Sequence, residues 1–102
     1  MKIVTLCGSL KFKNEMMIVA EKVALKGNCV ITLVYPVLDN FTRTKEQLEC
    51  LKLAHFKKIE LSDSILVVDV DKYIGESTKL EIEYAKKLGK EIIYYSDVFY
   101  NM

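Results

Sequence analysis

Four short apolar runs, Lys2–Leu6, Cys29–Val34, Ile65–Val70 and Glu91–Tyr95, alternate along this chain with three stretches whose apolar residues recur at helical spacing. That alternation limits the fold more than any other feature. Parallel neighbours in a sheet cannot be joined by a tight turn, so each return needs a crossover, usually a helix. Strands that follow such crossovers are covered on both faces and read as near-continuous apolar runs, as Ile65-Leu-Val-Val-Asp-Val70 does. The expected fold is therefore α/β, a three-layer sandwich around a four- to five-stranded parallel sheet. With 102 residues and 51% apolar content there is room for one domain, spanning residues 1–102, with a core of its own.

The three helical stretches are expected from about Lys11 to Lys26, from Lys45 to Leu61 and from Lys79 to Leu88. In the first, Met16, Met17, Ala20, Val23 and Ala24 share a face and Gly27 supplies the stop. In the second, Leu48, Leu51, His55 and Ile59 lie close to one face, and Val37 to Thr44 forms the loop before it. In the third, Leu80, Tyr84, Ala85 and Leu88 make the apolar face, ahead of Gly89. The tail Ser96–Met102 reads either as a fifth edge strand or as a frayed end.

Fifteen basic residues against 14 acidic ones leave a net charge of +1, which argues against a broad face for a nucleic-acid polymer. No apolar run approaches the roughly 20 residues that span a bilayer. The start, Met1-Lys-Ile-Val-Thr-Leu, passes directly into a strand and does not read as a signal peptide. Cys7, Cys29 and Cys50 are odd in number and contain no CxxC pair, a usage that fits reduced thiols in a cytoplasmic protein. Cys29 is expected in the core.

Candidate chemistry collects at the ends of the first and third strands, because open α/β sheets bind ligands outside their carboxyl ends. Gly8-Ser9, with Lys11 and Lys13 behind it, reads either as a phosphate cradle or as a tight turn capped by serine. Neither a GxGxxG nor a Walker pattern is present. After the third strand come Tyr73, Gly75, Ser77, Thr78 and Glu81. Thr78-x-x-Glu81 matches a capping box. A carboxylate in a first helical turn also feels the positive helix end, tends to stay ionised, and can attack a sugar carbon. His55, the only histidine, reads as a core residue or as a titratable group near the site. Asp63, Asp69 and Asp71 flank the third strand as polar site residues or turn formers, without a second metal-ligand cluster. No metal or organic cofactor is expected.

Taken together, Leu6-Cys7-Gly8-Ser9-Leu10-Lys11, Asp63-Ser-Ile-Leu-Val-Val-Asp69 and Ser77-Thr78-Lys-Leu-Glu81-Ile-Glu-Tyr84-Ala85-x-x-Leu88-Gly89-Lys90 resemble the nucleoside 2-deoxyribosyltransferase-like family, which includes the 2'-deoxynucleoside 5'-monophosphate N-glycosidases. The resemblance runs in order over essentially the whole chain. It implies a flavodoxin-like, Rossmann-like sandwich and Glu81 as the nucleophile. It also implies a phosphate site at Gly8, Ser9 and Lys11, and a substrate site that includes Asp69, Gly75, Ser77 and Thr78. The implied substrate is a nucleoside or its 5'-monophosphate, and the implied assembly is a homodimer or larger homo-oligomer. Three positions depart from the family pattern. Thr5 stands where relatives carry a tyrosine that holds the nucleophile, with Tyr73 as a replacement phenol. His55 stands where the glycosidases place a sugar-site aspartate, and Gly75 where the transferases place a base-recognising one. Relatives complete the site with a C-terminal residue of a neighbouring subunit, for which this chain offers Tyr100 and Asn101.

Overall fold

The structure is a computed structural model that describes residues 1–37 and 42–98. Its four strands, β1 (Ile3–Cys7), β2 (Cys29–Ile31), β3 (Ser64–Val67) and β4 (Glu91–Tyr94), form one parallel sheet in the order β2-β1-β3-β4. The register pairs Thr5 with both Ile31 and Ile65, Cys7 with Val67, and Val67 with Tyr94. Because side chains alternate across a strand, the two faces of the sheet have separate cores. Val4, Leu6, Leu66 and Val68 pack against Met16, Val19 and Val23 of α1 (Lys13–Leu25). Cys7, Ile65 and Val67 pack against Ile59 of α2 (Lys45–Leu61) and Ile82 and Ala85 of α3 (Glu76–Lys87). The result is the flavodoxin-like three-layer sandwich that the alternation of runs predicts.

Several elements end for reasons visible in their residues. After α1 and α3 the chain turns at Gly27 (φ 95°) and Gly89 (φ 71°), a left-handed conformation that costs glycine nothing. Helix α2 starts at a capping box. Thr44 Oγ accepts from the Gln47 N–H at 3.1 Å, and Gln47 Oε1 accepts from the Thr44 N–H at 2.8 Å. Helix α3 starts three residues earlier than its periodicity suggests, at Glu76, with Gly75 as its N-cap and no side-chain cap. Thr78 and Glu81 therefore lie inside the helix, and the capping box expected for them does not form.

Other expectations are also corrected. Strand β2 is an edge strand of three residues, so Cys29 is exposed rather than in the core. Strand β3 stops at Val67, because the chain then enters a 3-10 turn, Val70–Lys72, with Asp71 (φ 52°) and Lys72 (φ 62°) both left-handed. The tail begins with a helical turn, α4 (Tyr95–Val98), and not with a fifth strand; residues 99–102, with Tyr100 and Asn101, lie outside the described residues. Among the described residues no helix is long and apolar enough to cross a membrane.

Asp69 shows how the carboxyl end of the sheet is tied down. Its carboxylate accepts from the Ser96 N–H at 2.9 Å and from Ser96 Oγ at 2.6 Å, joining the end of β3 to the turn after β4. Hydrogen bonds to an ionised partner are each worth roughly 1.5–3 kcal/mol. Asp69→Ala should thus lower stability by about 2 kcal/mol or more, measured by urea unfolding. An unchanged urea midpoint would show that the tie to Ser96 carries no stability.

Candidate active site

The order of the sheet reverses between β1 and β3, where the chain leaves β1 for α1 on one face and β3 for α3 on the other. Such a switch point leaves a crevice outside the strand ends. A cleft of about 650 Å³ opens here, within the range of small-molecule sites. The loop after β1 contributes Gly8 and Ser9, and α2 contributes His55. The segment before α3 contributes Tyr73 and Gly75, and the first turns of α3 contribute Ser77, Thr78 and Glu81. Leu48, Leu51 and Leu80 form apolar walls. This explains why Leu48 and Leu80, expected in the core, are 52% and 54% exposed.

Two residues expected in the site are turned elsewhere. Asp69 is committed to Ser96. The Lys11 ammonium lies 3.5 Å from the centre of the Tyr73 ring, a cation–π contact outside the cleft lining. That contact, with Phe12 in a T-shaped arrangement with the same ring at 5.8 Å, orients Tyr73 at the cleft mouth. Ser9 caps the short turn that follows it, accepting from the Lys11 N–H at 3.3 Å.

At the base of the cleft three side chains from three elements meet. Cys7 is the last residue of β1, and its Sγ lies 3.5 Å from His55 Nε2. The same nitrogen lies 3.7 Å from Glu81 Oε1. Cys7 is fully buried, His55 is 5% exposed, and the Glu81 side chain is 14% exposed toward the cleft. Among the described residues, Glu81 Oε1 and His55 Nδ1 are, with Tyr35 Oη and Ser64 Oγ, buried side-chain atoms that lack a hydrogen-bond partner.

This environment sets the charge states, and it overturns two expectations. Burial raises the Glu81 pKa from 4.5 to about 7, against a smaller opposing effect of the Cys7 thiol. Desolvation, and not the helix end, governs this carboxyl, because Glu81 sits beyond the first turn of α3. Burial, with the Lys58 charge adding to it, lowers the His55 pKa to about 4, so the ring is neutral at neutral pH and is not the near-neutral switch its type suggests. The Cys7 thiol is pushed well up, by burial first and by Glu81 second. A thiol held protonated and out of solvent is a poor nucleophile.

Cys7 is the site residue that sequence reasoning noticed without giving it a role; the signal was its place at the end of β1, one residue before Gly8. Thr5, by contrast, is engaged elsewhere. It is bonded to Ser62 Oγ and to the Lys58 carbonyl, and so braces the end of α2. The groups beside the Glu81 carboxyl are thus Cys7 and His55, in place of a phenol.

Compared with protein-family models and with curated protein sequences, the chain matches none.

Proposed function

We propose that this protein cleaves the N-glycosidic bond of a (deoxy)nucleoside 5'-monophosphate, with Glu81 as the nucleophile. The observation that carries this reading is a buried carboxyl with an unpartnered oxygen at the base of an open cleft. Among the described residues, no lysine or arginine pairs with it. An ionised carboxylate in such a place gains most from a positive charge that arises during reaction, and an oxocarbenium-like sugar supplies one. Its raised pKa also makes it a stronger nucleophile than an ordinary carboxylate.

In the first step the bond between the anomeric carbon and the base nitrogen breaks. Its electron pair leaves with the base, which takes a proton from solvent, and Glu81 forms an ester to the anomeric carbon. In the second step water attacks that carbon, the ester bond breaks, and a proton returns to solvent. Cys7 and His55 are uncharged walls that hold the carboxyl in place. Gly8 and Ser9 lie at the same cleft, where a 5'-phosphate reaches the backbone after β1. The resemblance to the nucleoside 2-deoxyribosyltransferase-like family supports the same assignment.

The test is a panel of nucleosides and their 5'-monophosphates, incubated with and without an acceptor base and followed by release of free base. Monophosphates should be processed at least about 10-fold better, since one charge-assisted hydrogen bond is worth roughly 1.5–3 kcal/mol. Ser9→Ala should narrow that gap. Equal rates on both classes would remove the phosphate from the reading. Base exchange that needs the acceptor would make the protein a transferase. Ligand binding with no base release would make it a nucleotide-binding module.

A further inference from the structure

The three groups at the base of the cleft are also a set of metal ligands. One thiol sulfur, one imidazole nitrogen and one carboxylate oxygen, from Cys7, His55 and Glu81, all lie within 4.8 Å of one another. They come from β1, α2 and α3, so the sheet and two helices hold them in fixed relation. With Zn–S near 2.3 Å and Zn–N or Zn–O near 2.0–2.1 Å, a tetrahedral ion places sulfur about 3.5 Å from nitrogen and nitrogen about 3.4 Å from oxygen. The observed separations are 3.5 Å and 3.7 Å. Donor type and two of the three donor spacings therefore agree; the sulfur and the carboxylate oxygen lie within 4.8 Å of each other, against about 3.5 Å around such an ion.

We infer that Cys7, His55 and Glu81 bind one Zn²⁺, with the fourth coordination position facing the cleft. Thiolate, imidazole and carboxylate are a zinc donor set, and three protein ligands with one open position form a site that accepts water or a ligand. The unpartnered Glu81 Oε1 lies 3.7 Å from His55 Nε2, and an ion between them would give that oxygen a partner. The ion enters past Glu81, since Glu81 and His55 line the cleft while Cys7 lies behind them. On binding, the Cys7 S–H bond breaks, its proton leaves to solvent, and a Zn–S bond forms without change of oxidation state. Zinc then occupies the carboxylate, so the loaded protein cannot use Glu81 as a nucleophile.

The inference does not depend on the glycosidase reading, because its test is spectroscopic. Full-length protein stripped with a chelator is titrated with Co²⁺ and then with Zn²⁺. One equivalent of Co²⁺ should produce a near-ultraviolet thiolate-to-metal absorption band, and one equivalent of Zn²⁺ should bleach it. Cys29 and Cys50 are exposed thiols, and the Cys29→Ser/Cys50→Ser variant should behave like the parent. Cys7→Ser should lose the band, and both Cys7→Ser and Glu81→Gln should weaken Zn²⁺ binding by more than about 10–100-fold, the loss typical of outer-shell partners. Near-ultraviolet circular dichroism confirms that each variant is folded; if Cys7→Ser does not fold, Glu81→Gln carries the comparison. No band in the parent, a band that disappears with Cys29 and Cys50, or Zn²⁺ affinity unchanged in Glu81→Gln would overturn the assignment.

Discussion

Glu81→Gln should abolish turnover and, in the same molecule, raise stability above pH 7. The first effect follows from the nucleophile reading. An amide cannot form the glycosyl ester, so base release should fall by a factor on the order of 10³ or more, as for other single-nucleophile losses. The second follows from burial. A folded-state pKa of about 7 against 4.5 unfolded means that the fold prefers the protonated acid. The stability tied to that proton is complete below pH 4.5 and is lost as pH rises through 7. The displacement corresponds to roughly 3 kcal/mol at most. Glutamine resembles the protonated acid and does not ionise, so it should recover a part of this, about 1–3 kcal/mol above pH 7 and close to nothing near pH 4.5. For a chain of this size each kcal/mol is a shift of roughly 4–8 °C in melting temperature. Thermal melts of chelator-treated protein at the two pH values, beside base-release assays, measure both effects. A stabilising substitution that destroys activity marks a site kept under strain for function. A variant that is active, or that is less stable at both pH values, would remove Glu81 from the chemistry.

The second large effect concerns pH, and it separates His55 from Glu81. The folded-state pKa of His55, about 4 against 6.5 unfolded, means that the fold prefers the neutral ring. That contribution is complete above pH 6.5 and is lost as pH falls through 4, again by roughly 3 kcal/mol at most. In the parent the two groups oppose each other between pH 4.5 and 6.5, so stability should change little across that window. Each single variant should expose the other group. Glu81→Gln should lose stability steeply as pH falls from 6.5 to 4, and His55→Asn should lose it as pH rises from 4.5 to 7. The slopes carry this comparison, so a fixed packing loss at the buried His55 position does not obscure it. Activity has its own signature. In metal-free protein, kcat/KM should rise with pH through about 7 as Glu81 ionises, and His55→Asn should leave that midpoint in place. A midpoint that disappears with His55 would assign the titration to the imidazole.

The chain read alone determined the layered architecture and the position of the crevice, for reasons that are local. Apolar runs of strand length and apolar residues at helical spacing depend only on neighbours in sequence, and so do the glycine stops at Gly27 and Gly89. Gly8 and Glu81 could be brought to one place from the βα alternation, because loops after parallel strands share one end of the sheet. The details that depend on more distant residues were not legible. Leu48 and Leu80 keep the helical period of core residues, yet they wall the cleft, since periodicity shows a face but not what covers it. Asp69 is typed as a site residue, yet Ser96, 27 positions away, takes its carboxylate. Above all, the neutrality of His55 and the raised pKa of Glu81 belong to neither residue type. They arise because β1, α2 and α3 converge and exclude water from Cys7, His55 and Glu81, and desolvation is a property of the assembled fold.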